Sequence, residues 1–387
     1  MVRRLAAVVL MAASVLVLSP APAHAASCGY QSKPVAAPKI SVTSWAQRLL
    51  DLPRAHQLAT GSGVRVAVVD SGVDRRHPQL AKAVQTGWDV TTGGSGGTLD
   101  CQRQGHGTAI ASLIGARPAS DASLVGVAPQ ATLLPIRVAD NDPATDAPVS
   151  AAALATAVTE SERLGADVIH ISYSLAVDDA RLRAAVARAI KSGVVVVAAA
   201  GDGLPGPSYP AAYDGVVGVG ALAASGDVLD GSARGPHVDL VAPGEQLVAA
   251  ARVGGHTVVG GTPAAAAVVS GAAALLRGSH PQWTNEEVVR RLLATADGTA
   301  GGTGNAAFGQ GSVNPYRALV EPAATVGAVP TWAPAPATLA QAPTRPGWPG
   351  SWRVALACAA LFGLGAAGLL TGRAVARTHR QRHRPSG

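Results

Sequence analysis

The chain has 387 residues, 48% hydrophobic and 14% charged but only 3% aromatic, so one large or two small domains must pack on Val, Leu, Ile and Ala. Three cysteines exclude a disulfide-rich scaffold. The net charge of +7 sits at the two ends: setting aside Arg3, Arg4, Arg373, Arg377, Arg380, Arg382 and Arg384 leaves 24 of the 31 Lys and Arg against 24 Asp and Glu, which excludes a broad basic face for nucleic acid.

Residues 1–25, MVRRLAAVVLMAASVLVLSPAPAHA, have a basic start, an apolar run and a small-residue end, which predicts a secretory signal peptide cut after Ala25. A lipoprotein attachment at Cys28 is the weaker reading, because the leucine expected before it is absent. Residues 26–44 form an N-terminal extension. Export into an oxidising compartment leads us to expect a disulfide between Cys28 and Cys101, tying the extension to the loop before His106; two free thiols are the competing reading.

Next come short Val- and Ile-rich runs at 64–69, 132–138, 167–172 and 194–200, separated by helical spacing at 150–166 and 178–193. Strands alternating with helices predict an α/β fold with a doubly wound parallel sheet flanked by helices. In such sheets functional side chains gather at the carboxyl ends of strands. The domain ends near 320, and Pro-rich 321–352 follows as an extended linker. Residues 353–373 contain the uncharged run 354–372, long enough to cross a lipid bilayer as a transmembrane helix. The basic tail 374–387 would then lie in the cytoplasm and the domain outside it, at the cell membrane.

Asp70 closes a strand in VAVVDSGVD, and His106 opens a helix in GHGTAIASLIG. Each alone reads as a turn or a cap. Together they suggest an Asp–His pair, in which the carboxylate fixes the imidazole tautomer and leaves the other nitrogen as a base. A third stretch, GGTPAAAAVVSGAAALL at 260–276, is a glycine turn entering an apolar helix, with Thr262-Pro263 at its start.

The ordered set of VAVVDSGVDRRHPQL, GHGTAIASLIG, GVAPQATLLPIRV, VVVVAAAGDG and GGTPAAAAVVSGAAALL resembles the subtilases, the subtilisin-like serine peptidases of the S8 family, over residues 45–310. The entry WAQRLLDLPRAHQLATGSGVRVAVVDSGVD and the order of segments resemble the mycosins, membrane-anchored subtilases of type VII secretion systems. The resemblance implies a catalytic acid at Asp70, a base at His106 and a substrate strand at Ser172, Tyr173 and Ser174. It implies no cofactor and leaves a structural calcium open. It also implies a secretion membrane complex as partner, with peptide segments of secreted proteins as further candidates.

Two positions depart from the family. The nucleophilic serine corresponds to Pro263, which has neither hydroxyl nor backbone N–H. The oxyanion-binding asparagine corresponds to Asp202, whose ionised carboxylate only accepts hydrogen bonds. Two further family positions, a proline and an asparagine, are Ala267 and His170 here. Thr262 precedes a proline, which favours an extended backbone and turns its hydroxyl elsewhere. Ser270 lies about 10 Å further along the helix at roughly 1.5 Å per residue. Ser172 and Ser174 fall on the substrate strand, so no serine replaces the nucleophile. Proline suits a helix start, so the fold can survive while hydrolysis is lost. A misread Ser codon would explain position 263 but would leave Asp202 unexplained. The expectation is a non-cleaving subtilase-fold subunit acting as scaffold or peptide binder; the alternative is an active serine endopeptidase that processes secreted substrates.

Overall fold

Alternate residues of Arg65–Asp70 (β1) fill two different cores: Val66 and Val68 pack on one side, Ala67 and Val69 on the other. A strand whose successive side chains point to opposite faces, and which is apolar on both, must lie in the middle of a covered sheet. The computed structural model describes residues 37–322 apart from 103, 140–148, 204–205 and 299–303. The expected signal peptide (1–25), Cys28, nearly all of the linker at 321–352, the membrane span (353–373) and the tail (374–387) lie outside the described residues.

Before β1 come two short helices, Trp45–Leu49 (α1) and Leu52–Leu58 (α2). After it run Gly87–Asp89 (β2), Gly94–Gly96 (β3), His106–Gly115 (α3), Thr132–Arg137 (β4), Ala151–Arg163 (α4), Val168–Ile171 (β5), Ala180–Lys191 (α5) and Val195–Ala199 (β6). The chain continues through Val216–Leu222 (β7), Leu240–Pro243 (β8), Leu247–Ala250 (β9), His256–Val259 (β10), Thr262–Ser279 (α6), Asn285–Ala294 (α7) and Pro315–Val320 (α8). The main sheet has eight strands in the order β3-β2-β4-β1-β5-β6-β7-β8. All pairs are parallel except β2–β3 at the edge, which is antiparallel. The β9–β10 hairpin forms a separate two-stranded sheet.

One face of the sheet is covered by α4 and α5, through Leu154, Val158, Leu182 and Val186. The other is covered by α3 and α6, through Ile110, Ile114, Val268 and Leu275. Helix α6 is buried almost all round; its run of alanines lets it lie close to the sheet. The α/β fold with a parallel sheet between helices is therefore present, with one antiparallel edge strand in addition. Among the described residues no helix is long and apolar enough to cross a membrane.

The sheet order positions the site. From β1 the chain moves through α3 to β4 on one side, then crosses through α4 to β5 on the other. The carboxyl ends of β1 and β5 thus flank the point where the winding reverses, where open α/β sheets place their crevice. Asp70 ends β1, and Ser172 follows β5.

Candidate active site

Asp70 is fully buried, and its carboxylate is saturated with donors. It accepts the Ser71 N–H at 2.7 Å and the Ser71 hydroxyl at 3.1 Å. His106 Nδ1 lies 2.9 Å from one carboxylate oxygen and 3.0 Å from the other. The Ser172 hydroxyl donates to the second oxygen. Burial pushes the Asp70 pKa up, but His106 and these hydrogen bonds outweigh it and hold the carboxyl below its ordinary range. Burial lowers the His106 pKa, and Asp70 with its hydrogen bond more than reverses this, so the imidazole takes a proton more readily than usual. With Nδ1 committed to Asp70, Nε2 has no hydrogen-bond partner among the described residues. The pair can therefore accept and hold a proton at Nε2.

A second layer holds the pair in place. Ser71 Oγ bridges to Asp100 at 2.9 Å and accepts the Gly107 N–H at 3.0 Å. Asp100 accepts the backbone and side chain of Thr108 at 2.8 and 2.6 Å. Burial pushes the Asp100 carboxyl up to about 7 against those hydrogen bonds. The first turn of α3, which carries His106, is thus tied to the end of β1. Sequence reading missed Asp100; the available signal was an acid shortly before the Gly-His-Gly-Thr start.

His170 points from β5 toward α6 and is fully buried. Its Nε2 is 2.9 Å from Ser172 Oγ and its Nδ1 is 3.2 Å from Ser270 Oγ. Burial pushes its pKa down to about 4, so the ring is neutral near pH 7. Since Ser172 gives its only proton to Asp70, His170 must donate from Nε2, and Nδ1 is left as an acceptor. His170 and Ser172 then form a donor chain that ends on Asp70. The Ser270 hydroxyl donates to the Ala266 carbonyl oxygen at 2.8 Å, within its own helix, and so is not the start of this chain.

On the opposite wall is the start of α6. Gly261 precedes it with φ +88°, and Thr262 and Pro263 are its first two residues. Proline therefore stands one place later than a first-position proline; the fit is equally good, because the first four N–H groups of a helix have no intrahelical acceptor. Thr262 is not extended, although a proline follows it. It is helical and fully buried, and its Oγ1 accepts the Gly201 N–H at 3.1 Å. These contacts outweigh the pre-proline preference, and they commit the hydroxyl. Asp202 lies over this helix start, accepting the Thr262 N–H at 3.0 and 3.2 Å from its two oxygens. Loss of hydration on its packed side raises its pKa, against the lowering effects of Thr262 and His106. The helix start thus already carries a carboxylate of the chain itself.

Ser172, Tyr173 and Ser174 extend beyond β5. Ser172 is turned inward to Asp70, and Ser174 Oγ donates to the Ala199 carbonyl oxygen at 2.8 Å. The next residue, Leu175, is paired with Tyr209 in both directions, at 2.7 and 2.8 Å. Among the described residues the backbone groups of Tyr173 and Ser174 make no hydrogen bond. Cys101 is disulfide-bonded, and its expected partner Cys28 lies outside the described residues. No group of three or more His, Cys, Asp or Glu among the described residues is placed to hold a metal ion.

The "Subtilase family" profile of the S8 peptidases matches residues 61–311. The chain belongs to the subtilase family. It is 35% identical over 329 residues to mycosin-1 of Mycobacterium tuberculosis (strain ATCC 25618 / H37Rv), covering 71% of this chain and 72% of that protein. It is 32% identical over 283 residues to thermitase of Thermoactinomyces vulgaris, covering 73% and 98%. A solved structure of the serine protease MycP1, described as an essential component of the type VII (ESX-1) secretion system, superposes with TM-score 0.65 at 32% identity, covering 76% of this chain and 94% of that one. As a subtilase, this chain keeps an Asp70–His106 pair while proline stands at 263 and aspartate at 202.

Proposed function

We propose that this subtilase does not cut peptides and serves as a structural subunit of a type VII secretion membrane complex, anchored by residues 353–373 with its domain outside the cytoplasm. The observation that carries the reading is the start of α6, where Pro263 supplies neither nucleophile nor N–H and the Asp202 carboxylate accepts the Thr262 N–H. Two oxyanion donors and the nucleophile are lost together, and each such donor is worth roughly 10²–10³ in turnover. Groups of this kind act as a unit, so the retained Asp70 and His106 do not rescue the chemistry. The secretion role is supported by likeness to mycosin-1 and MycP1.

In a strain lacking the gene, the His106→Ala protein should restore secretion as well as the wild type does. A folded His106→Ala protein that leaves secretion abolished would overturn the non-enzymatic reading.

A second reading, compatible with the first, is that the crevice holds an extended peptide of a secreted protein. The unpaired backbone of Tyr173 and Ser174 favours it, because such an edge can accept an added strand. Secreted-substrate peptides should bind the purified protein and lose affinity when Ser174→Pro removes the N–H at the centre of that edge. Equal binding by the variant would remove this reading.

A further inference from the structure

The segment before α1 is strapped onto the domain. The Ala37 N–H donates to the Gly254 carbonyl at 2.9 Å, the His256 N–H to the Pro38 carbonyl at 2.9 Å, and the Ser123 N–H to the Ile40 carbonyl at 3.2 Å. The turn between β9 and β10 is shaped to receive it. Gly255 has φ +73°, and a Cβ there would stand 1.5 Å from the Ala37 carbonyl oxygen. Only glycine lets the two backbones meet.

Beneath the strap lies His256, which is buried. Its Nδ1 accepts the Ile40 N–H at 2.8 Å, and its Nε2 is 3.1 Å from Gln79 Oε1. The Gln79 amide nitrogen donates to the carbonyls of Arg117 and Leu124 at 2.8 and 2.7 Å, so the atom facing the ring is the acceptor Oε1. His256 must therefore carry its proton on Nε2 and keep a lone pair on Nδ1. A proton added at Nδ1 would meet the Ile40 N–H donor to donor.

We propose that His256 is a proton-operated latch: neutral, it fastens residues 37–42 to the domain, and protonated, it releases them. The charged and titratable groups around it have opposing effects. His77, ring centroid 6.2 Å away, and Lys39 of the strap oppose a positive charge on His256, whereas Asp121 favours one. Lys39 and Asp121 pair with each other. His77 is itself fixed: its Nε2 faces the Gly255 carbonyl at 2.9 Å and its Nδ1 accepts the Gln79 N–H at 3.2 Å. Asp74 lies behind His77, held by Arg76 and by the Val253 N–H. Burial, then His77, depress the pKa of the latched His256 below the ordinary 6.5. A released histidine takes up its proton near the ordinary value. The latch is therefore at full strength above pH 6.5 and weakens as pH falls. This inference stands whether or not the crevice cleaves peptides.

Hydrogen–deuterium exchange on the full chain at pH 7.5 and 5.0, expressed as protection factors so that intrinsic exchange cancels, tests it. Protection at Ala37 and Ile40 should fall at pH 5 by up to about 30-fold, the linkage limit for a released pKa of 6.5. Protection in β1 should not fall in parallel, because Asp100 and Asp239 favour the folded chain at pH 5 over pH 7.5. His256→Asn keeps an acceptor without a titrating ring and should make strap protection independent of pH, whereas His77→Asn, which removes only one of the groups opposing the charge, should leave a smaller pH-dependent loss in place. No loss in the wild type, an undiminished loss in His256→Asn, or a loss abolished by His77→Asn would each overturn the latch. The wild-type comparison decides alone if a variant fails to fold.

Discussion

Pro263 and Asp202 act on the same few atoms. The proline withholds a hydroxyl and an N–H, and the aspartate places an acceptor over the Thr262 N–H. Pro263→Ser alone should therefore give no substantial peptide hydrolysis. Adding Asp202→Asn should raise turnover by roughly 10²–10³ over the single variant, the worth of one oxyanion donor. Strong activity in the single variant would show that Asp202 does not oppose the chemistry. Asp100 gives a pH prediction. Its carboxyl is raised from 3.8 to about 7 in the fold, so between those values the folded chain holds a proton that the unfolded chain has released. Asp100 therefore contributes a loss of stability as pH rises from about 4 to 7. Asp239, also raised to about 7, adds a similar slope. Denaturant melts across this range should show a shallower fall in Asp100→Asn than in the wild type, and an unchanged slope would contradict the buried protonated carboxyl. Asp70 and His106 could be picked out in the sequence because each sits at a recognisable strand end or helix start. Asp100 and the His170–Ser270 contact were not legible as partners, because spacing along the chain does not record contacts made through space, to the end of β1 for Asp100 and between β5 and α6 for His170.

At the scale of elements, α6 depends on the turn before it. Gly261 has φ +88° and ψ −178°, a region essentially reserved for glycine. A Cβ there would lie 2.6 Å from an Asp202 oxygen. Gly261→Ala should cost about 1–3 kcal/mol in denaturant unfolding. A neutral substitution would mean that the turn relaxes without disturbing the helix start. Strands β1, β4, β5 and β6 were readable as continuous apolar runs, since a strand covered on both faces needs no polar residue. Helix α5 was readable from Asp179, which caps it by accepting the Arg181 and Leu182 N–H groups at 2.9 and 3.0 Å. Other elements were not. Strand β7 is broken by Gly218 and Gly220, β2 and β3 have three residues each, and β9 and β10 only four. Segments that short or that rich in glycine carry too little periodicity, and partners distant in sequence decide their state.

Across the whole molecule, a subtilase sheet, a helix start covered by Asp202 and a strap bonded to the β9–β10 hairpin belong to one chain. The arrangement suits a part retained for its shape and attachments. If 353–373 anchors it, truncation after residue 352 should move the protein from the membrane to the soluble fraction, and a truncated protein that stays with the membrane would point to attachment through its partners. The central claim is that the crevice has no serine nucleophile in working order. Intact-mass measurement after treating the native full chain with a fluorophosphonate tests it most directly. The account predicts an unshifted mass, under conditions that label an active subtilase completely. Stoichiometric addition of one phosphonyl group, abolished by His106→Ala, would contradict it.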